Sequence, residues 1–256
     1  MKIKVYRVMA VLTGLFFINL LTSAPAQEKD LIPLLDKIVK RADSYPEYTN
    51  WEYKVVTKYT EMDKQWQPAK TTITTAVVKD AEGVLSARVI EAVEIEDGMT
   101  KDIIEETRER TEKQIQEANK QRKEVEAPEE PENTFDTLFP FQESKRANFQ
   151  FSRLNDASIN ERPVIIIEAA AIEKDEQLFE GKFYVDQETY DVLKAQIKPS
   201  ENPTLIKELD MDIDFEVLPA GYYIQKRSKT RVNGGPFFKR IRAIVEEKKS
   251  DIVILD

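Results

Sequence analysis

Residues 209–217 read Leu-Asp-Met-Asp-Ile-Asp-Phe-Glu-Val, with an apolar side chain at every second position. Because successive side chains of a strand point to opposite faces, this alternation predicts a strand with one apolar and one acidic face. The apolar face carries Leu209, Met211, Ile213 and Phe215. The acidic face, with Asp210, Asp212 and Asp214, could bind calcium. A calcium site usually needs loop geometry and carbonyl ligands, so a solvated strand face is favoured.

The same period of two recurs along the chain. Trp51, Tyr53 and Val55 alternate with Glu52 and Lys54, which predicts a half-buried antiparallel strand. This aromatic face could line an apolar cavity or belong to an ordinary core. Further strands are predicted at about 70–79, 84–96, 149–151, 164–167, 179–185 and 191–198. One more strand is predicted to begin at Gly221, and another follows the Asn233-Gly234-Gly235 turn. A short final strand is predicted at 252–254. The total is about ten strands.

An amphipathic helix is predicted from about 30 to 44. Its apolar stripe repeats at helical spacing and comprises Leu31, Leu34, Leu35, Ile38, Val39 and Ala42. Asp30 is the expected N-cap, and Pro33 is expected in the first turn, where its missing N–H does no harm. A sheet of this size must curl, close or stack to bury its apolar face, and this helix is the expected object for it to wrap.

A second helix is predicted within residues 101–127, where more than half of the side chains are charged. Its apolar stripe is thin, so we expect a solvated helix, capped by Thr100 and ended by Pro128 and Pro131. Residues 98–132 are therefore interpreted as a charged insertion.

The first 26 residues have the features of a cleavable secretory signal peptide. Lys2, Lys4 and Arg7 precede an uncharged, mostly apolar run, and Ala24-Pro25-Ala26 supplies the small residues of a cleavage site before Gln27. The expected mature chain is one domain over residues 27–256 that works outside the cytoplasm. An uncleaved membrane anchor is the alternative interpretation.

The composition argues against most enzyme classes. The chain has no His and no Cys, so the commonest general base and the thiolate nucleophile are missing. It has no glycine-rich phosphate-binding motif and no nucleophile-elbow motif. A carboxylate-dependent hydrolase stays possible, and no cofactor or metal is expected.

The charge balance bears on partners. The net charge of −9 disfavours nucleic acid. Basic residues cluster at Lys226, Arg227, Lys229, Arg231, Lys239, Arg240 and Arg242. This cluster could bind an anionic head group, but pairing with the neighbouring acidic strand is favoured, because adjacent antiparallel strands commonly pair opposite charges.

Several motifs, taken in order, resemble the outer-membrane lipoprotein-sorting protein family, the LolA-like and LolB-like periplasmic lipoprotein carriers. They are residues 137–141 (TLFPF), 180–186 (EGKFYVD) followed by Thr189-Tyr190, the alternating strand 209–217, Gly221-Tyr222-Tyr223, and residues 234–240 (GGPFFKR). The resemblance implies an α+β, mainly β fold: a strongly bent, open antiparallel sheet or half barrel around the N-terminal helix. The charged helix departs from the family pattern, and no functional residue matches.

The resemblance also implies a function, namely a non-enzymatic periplasmic carrier that binds lipid or lipoprotein acyl chains on an apolar concave face. The residues expected to line that face are Trp51, Tyr53, Val55, Leu209, Met211, Ile213 and Phe215. The alternative is an envelope interaction protein of the same fold with a filled core, which binds another protein through its charged helix. An empty apolar concavity would favour the carrier, and a filled interior would favour the interaction protein.

Overall fold

The computed structural model describes residues 28–46, 50–124, 138–235 and 240–255. The predicted signal peptide with its cut before Gln27, and the linker at Pro128 and Pro131, lie outside these residues. Within them, no helix has the length and apolar character needed to cross a bilayer.

The described chain is mainly β, as the sequence predicted. The helices are α1 (Glu28–Ala42), α2 (Ile104–Glu124) and α3 (Glu143–Arg146). The strands are β1 (Trp51–Met62), β2 (Pro68–Ala81), β3 (Val84–Glu96), β4 (Met99–Asp102), β5 (Phe149–Arg153), β6 (Ala157–Ile159), β7 (Arg162–Ala171), β8 (Phe179–Asp186), β9 (Val192–Pro199), β10 (Ile206–Val217), β11 (Tyr223–Gly234) and β12 (Ile241–Ile254).

All twelve strands form one antiparallel sheet, in the order β4-β3-β2-β1-β12-β11-β10-β9-β8-β7-β5, with β6 paired to β7. The sheet is open, which confirms the predicted α+β, mainly β class. The strands β4 and β6 were not predicted, because each is too short to show an alternating pattern. The predicted short strand at 252–254 is the end of the long strand β12.

The sheet bends around α1. Side chains from β5, β7, β8, β9 and β10 share one buried core with Leu31, Leu35 and Ile38 of α1. Five neighbouring strands are about 19 Å across, which is wider than a helix of about 10–12 Å. The width beyond the helix is covered by Phe139 and Phe141, which belong to the same core.

Both predicted helix starts are wrong in detail. The helix α1 begins at Glu28, so Asp30 lies inside it, and Pro33 is inside the helix as well, where it removes one backbone hydrogen bond. Thr100 lies in β4 and does not cap α2. Instead, the Asp102 carboxylate accepts a hydrogen bond from the Ile104 N–H at 2.9 Å.

Candidate functional site

The register of the sheet defines one face, here called the inner face, on which α1 packs. Met211 of β10 packs against the core beneath α1. In the strand ladders, Met211 pairs with Thr230 of β11. Thr230 pairs with Val245 of β12, and Val245 pairs with Tyr59 of β1. Since directly paired residues share a face, the inner face continues across these four strands.

The inner face also reaches α2. Thr57 shares the face of Tyr59, and it is paired through Thr74 of β2 to Ala92 of β3. Ala92 is buried in a small second cluster with Val89 and Ile103, and Ile104 at the start of α2 packs against it. Both long helices therefore lie on the same side of the sheet, one at each end.

The half of the inner face beneath α1 is filled by side chains. Phe139, Phe141 and Phe183 are each at most 1% exposed. The rings of Phe141 and Phe183 meet edge to face with centroids 4.9 Å apart, and Phe139 lies 5.2 Å from Phe215. This dense aromatic packing is that of a protein core, and an acyl chain would have to displace side chains to enter it.

At the other end, α2 covers the edge of the sheet. The strand β4 pairs only with residues 93–96 of β3, so the earlier part of β3 forms no ladder on that side with any strand of the described chain. Side chains of α2 bind its backbone instead. The Asn119 amide both donates to the Leu85 carbonyl and accepts from the Leu85 N–H, each at 2.8 Å, and Arg108 donates to the Val89 carbonyl.

Between the two helices lies a half-buried strip that we call the inner groove. It is formed by Val55, Thr57, Tyr59, Thr74, Ser228, Thr230, Val245 and Glu247. Neither helix cluster includes these residues. Burial raises the pKa of the Tyr59 hydroxyl, and the nearby charge of Glu61 adds to that effect. The strip therefore offers partly dehydrated methyl and ring surface, with the Glu247 carboxylate on the same face between Thr57 and Ser228.

The structure divides the residues predicted to line the concave face into two groups. Ile213 and Phe215 are buried in the core beneath α1, and Met211 packs against that core. Leu209 is half-buried and shares their face. Trp51, Tyr53 and Val55 belong to β1, where they are half-buried and have no part in the α1 cluster. The two groups share the inner face without forming one cavity.

Trp51 and Tyr53 form an aromatic pair with ring centroids 4.3 Å apart. The Lys249 ammonium lies 4.8 Å from the Trp51 ring and 5.1 Å from the Tyr53 ring. Burial lowers the pKa of Lys249, against an opposing effect of Glu247. These contacts close one end of β1 with a cation–π cluster.

The opposite, outer face carries the predicted charge pairing. Asp210, Asp212 and Asp214 lie directly across from Arg231, Lys229 and Arg227. Ion pairs join Arg231 to Glu208 at 3.0 Å and Lys194 to Asp212 at 3.4 Å. The described residues contain no group of side chains arranged to hold a metal ion. Lys226 and Lys229 also pair with carboxylates, Glu216 and Glu246, so pairing with neighbouring acidic residues is preferred over an anionic head-group site for Lys226, Lys229 and Arg231.

A buried carboxylate at the end of α1 escaped sequence reasoning. Asp191 is 4% exposed, and its Oδ1 accepts hydrogen bonds from Arg41 Nε at 2.8 Å and from the Tyr45 hydroxyl at 2.6 Å. The hydrogen bond to Asp191 raises the pKa of Arg41, and burial followed by the same carboxylate raises that of Tyr45. Nothing in the sequence marks Asp191, since its partners are about 150 residues away.

Tyr223 joins this cluster to the core. Its ring stacks on Tyr45 at 5.3 Å and on Phe215 at 5.4 Å, and its hydroxyl donates to the Val192 carbonyl at 2.6 Å. Burial raises the pKa of this hydroxyl well above its ordinary value. The cluster has a cation, a carboxylate and phenols, but every polar group is used to tie α1 to β9 and β11. It is therefore interpreted as a structural junction.

Comparison with known proteins gives structural likenesses only. No protein-family model matches the sequence, and no curated protein matches it. Among solved structures, similarity is found to a putative outer membrane lipoprotein-sorting protein domain from Vibrio parahaemolyticus (11% identity, 86% of this chain and 91% of that chain, TM-score 0.38). A LolA superfamily protein from Nitrosomonas europaea is similar at 10% identity, with 87% and 94% coverage and a TM-score of 0.36.

A DUF1329 family protein from Desulfovibrio piger is similar at 9% identity, with 89% of this chain and 92% of that chain covered and a TM-score of 0.37. Identities this low reveal neither a shared ligand nor a shared partner.

Proposed function

We propose that the mature chain is an exported, non-enzymatic carrier that binds lipid or lipoprotein acyl chains, and that the acyl site is the inner groove. The observation that carries this proposal is the half-buried strip between α1 and α2. It presents Val55, Tyr59 and Val245 on one face, outside both packed clusters.

The inner groove has the chemistry of a weak and reversible apolar site. Its side chains present methyl groups and one aromatic ring. Its threonines and Glu247 add polar groups that can hold water when no ligand is present. An acyl chain gains about 0.8 kcal/mol per buried CH₂ group, so micromolar binding requires about ten such groups to be covered, which is most of a fatty acyl chain. A carrier must also release its ligand, which suits a groove better than a closed cavity.

The proposal is tested with a matched pair of substitutions in β1. Val55 and Val56 are neighbours, both half-buried, on opposite faces of the sheet. Val55→Asp places a carboxylate where the acyl chain would lie, and it should weaken binding of a fluorescent fatty acyl methyl ester at least about tenfold. Val56→Asp, opposite Lys248, should leave the affinity unchanged. Equal effects of the two substitutions would rule out the inner groove.

A second candidate is an envelope interaction protein, and the filled core beneath α1 favours it. In that case the charged outward side of α2 would contact another protein, and the inner groove would hold no lipid. Native mass spectrometry of protein purified from its own envelope separates the two candidates. A bound lipid adduct supports the carrier. Protein that carries no lipid and does not bind the acyl ester would overturn it.

A further inference from the structure

The free edge of β3 is only partly occupied by α2. The helix binds this edge at two places, through Asn119 at Leu85 and through Arg108 at the Val89 carbonyl. Since Asn119 takes both the N–H and the C=O of Leu85, these groups point away from β2. This orientation repeats at every second residue of an antiparallel strand, so the N–H and C=O of Ala87 point to the same open side. Within the described chain, no strand or backbone group pairs with Ala87 there.

A cleft of about 380 Å³ lies beside this open stretch, and we call it the edge slot. Residues 86–89 of β3 form one wall, and α2 forms the other with Arg108, Thr111, Glu112 and Ile115. Residues 86 and 88 face one side of the sheet and residues 87 and 89 face the other, so the slot runs along the edge of β3. Its volume falls within the range of about 300–1,000 Å³ that is typical of ligand-binding clefts.

The contact between α2 and β3 leaves polar groups unsatisfied. Thr107, Thr111 and Ile115 are four residues apart and therefore share one face of the helix. Thr107 is 2% exposed, and its hydroxyl has no hydrogen-bond partner in the part of the chain that the structure describes. Buried polar groups are normally paired, so this contact is less complete than a protein core. An occupant of the slot can pair with Ala87 without breaking a hydrogen bond of the fold.

The open groups of Ala87 match an extended peptide backbone. A strand added beside β3 would accept from the Ala87 N–H and donate to its C=O, at the usual strand spacing of about 4.8 Å. An acyl chain has no such donor or acceptor, which distinguishes this slot from the inner groove.

The walls of the slot indicate which side chains such a peptide carries. Its alternate side chains would point to opposite faces of the sheet. On one face they would meet Thr111 and Ile115 of α2, where apolar groups fit and the nearby Glu112 disfavours an acid. On the other face lies Arg88, which is exposed and makes no ion pair with a carboxylate of the described residues. A free guanidinium suits an acidic side chain.

We propose that the edge slot binds an extended polypeptide segment with alternating acidic and apolar side chains, which adds a strand to β3 at Ala87. This site is separate from the inner groove and goes beyond the carrier function. The helix α2 narrows the edge to a slot that admits one extended chain and keeps out the edge of a second folded sheet.

The test measures binding of a short fluorescent peptide of alternating glutamate and valine to the full mature chain, by fluorescence anisotropy. Ala87→Pro removes the central N–H without touching the ladder to β2, and it should weaken binding at least about tenfold. Ala87→Ser keeps the N–H and should leave the affinity unchanged. Arg88→Gln should weaken binding about threefold. Lys79→Gln, exposed on the same face of the neighbouring strand, is its matched control and should have no effect.

Two further measurements locate the site on the unaltered protein. The same peptide with its backbone nitrogens methylated should not bind, because it cannot donate to the Ala87 carbonyl. Hydrogen exchange followed by NMR should show that the unmodified peptide slows exchange of the Ala87 amide. The Ser86 amide points toward β2 and should be slow with or without the peptide. These measurements apply even where Ala87→Pro impairs folding.

Several outcomes would overturn the proposal. Binding that survives both Ala87→Pro and backbone methylation would exclude strand addition, as would an Ala87 amide that the peptide does not protect. A peptide that binds only after residues 101–131 have been replaced would show that α2 closes the edge completely. Equal affinity for a peptide with lysine in place of glutamate would contradict the role of Arg88 and the acidic character of the partner.

Discussion

Asn119 of α2 binds Leu85 of β3 through both ends of its amide, with two hydrogen bonds of 2.8 Å to the same backbone residue. The side chain thus imitates the pairing that a neighbouring strand would provide. An uncovered edge strand exposes N–H and C=O groups that can recruit a second chain. The charged helix, which looked dispensable in the sequence, has a defined task at the edge of the sheet.

Asn119→Ala should therefore lower the free energy of unfolding by about 1–2 kcal/mol, because two backbone groups of Leu85 lose their partner. Urea denaturation followed by fluorescence measures the change. Gln114→Ala, at an exposed position of the same helix, is the control and should stay within about 0.5 kcal/mol of wild type.

Replacing residues 101–131 by a short Gly/Ser linker should leave a cooperatively folding protein, because the core beneath α1 contains no residue of α2. We expect the melting temperature to fall further than in Asn119→Ala, because the deletion also removes Ile103 from its cluster with Val89 and Ala92 and breaks the Arg122–Asp80 ion pair. Loss of the cooperative transition would instead make α2 part of the folding core.

The same deletion should cause self-association, since it uncovers the β3 edge. Light scattering coupled to size-exclusion chromatography measures the mass. Adding Ala87→Pro, which blocks pairing in the middle of the uncovered edge, should restore the monomer. A deletion protein that stays monomeric at high concentration would show that α2 does not guard the edge.

Met211→Asp and Asp212→Ala are neighbours with opposite expectations. Met211 packs against the core beneath α1, so a carboxylate there should cost about 3 kcal/mol or more. Asp212 accepts a hydrogen bond from Gln196 at 2.7 Å on the outer face, and its loss should cost about 1 kcal/mol or less. Thermal unfolding of both variants decides this, and similar costs would contradict the assignment of faces.

Asp186 should make the free energy of unfolding depend on pH. Burial alone would raise the pKa of this carboxyl, but the N–H groups of Thr189 and Glu188, and the charge of Arg162, outweigh burial and lower it. Because the pKa of Asp186 is lower in the folded protein, its ionised carboxylate stabilises the fold at pH values above the ordinary carboxyl pKa of about 4. This stabilisation is lost as the pH falls toward the pKa of the folded state. Asp186→Asn should be less stable at pH 7, and its stability should change less between pH 5 and 3.

Gly181 should tolerate no side chain. Its φ is +147°, and an added Cβ would lie 2.1 Å from the Gln196 carbonyl oxygen of the neighbouring strand. Gly181→Ala should lose more than about 3 kcal/mol or fail to fold. Gly83→Ala, in a turn with φ +73° and open space around it, should cost only about 1 kcal/mol, and chemical denaturation compares the two.

Much of the strand pattern could be predicted from local periodicity. The strand predicted at 84–96 is β3, and the alternation of 209–217 lies within β10. The outward position of the aspartates and their pairing with Arg231, Lys229 and Arg227 also followed from the alternating pattern. These properties depend on side chains two residues apart, whose directions are determined by strand geometry itself.

The binding surfaces could not be predicted in the same way. Met211 and Val55 look equivalent in the sequence, yet one lies against a filled core and the other in an open strip. The difference arises because α1 and the Phe139–Phe141 segment cover only one half of the inner face.

The sequence by itself determined the strand periodicity, the amphipathic helix and the lack of common catalytic groups, and the export signal stays a prediction from it. Only the tertiary structure decided that Asn119 and Arg108 of α2 bind the backbone of β3, that Asp191 meets Arg41 and Tyr45, and that β9 and β10 separate. Each of these depends on residues far apart in the chain, brought together by strand order and register, and the free energy of those contacts has no signature in any local stretch of sequence.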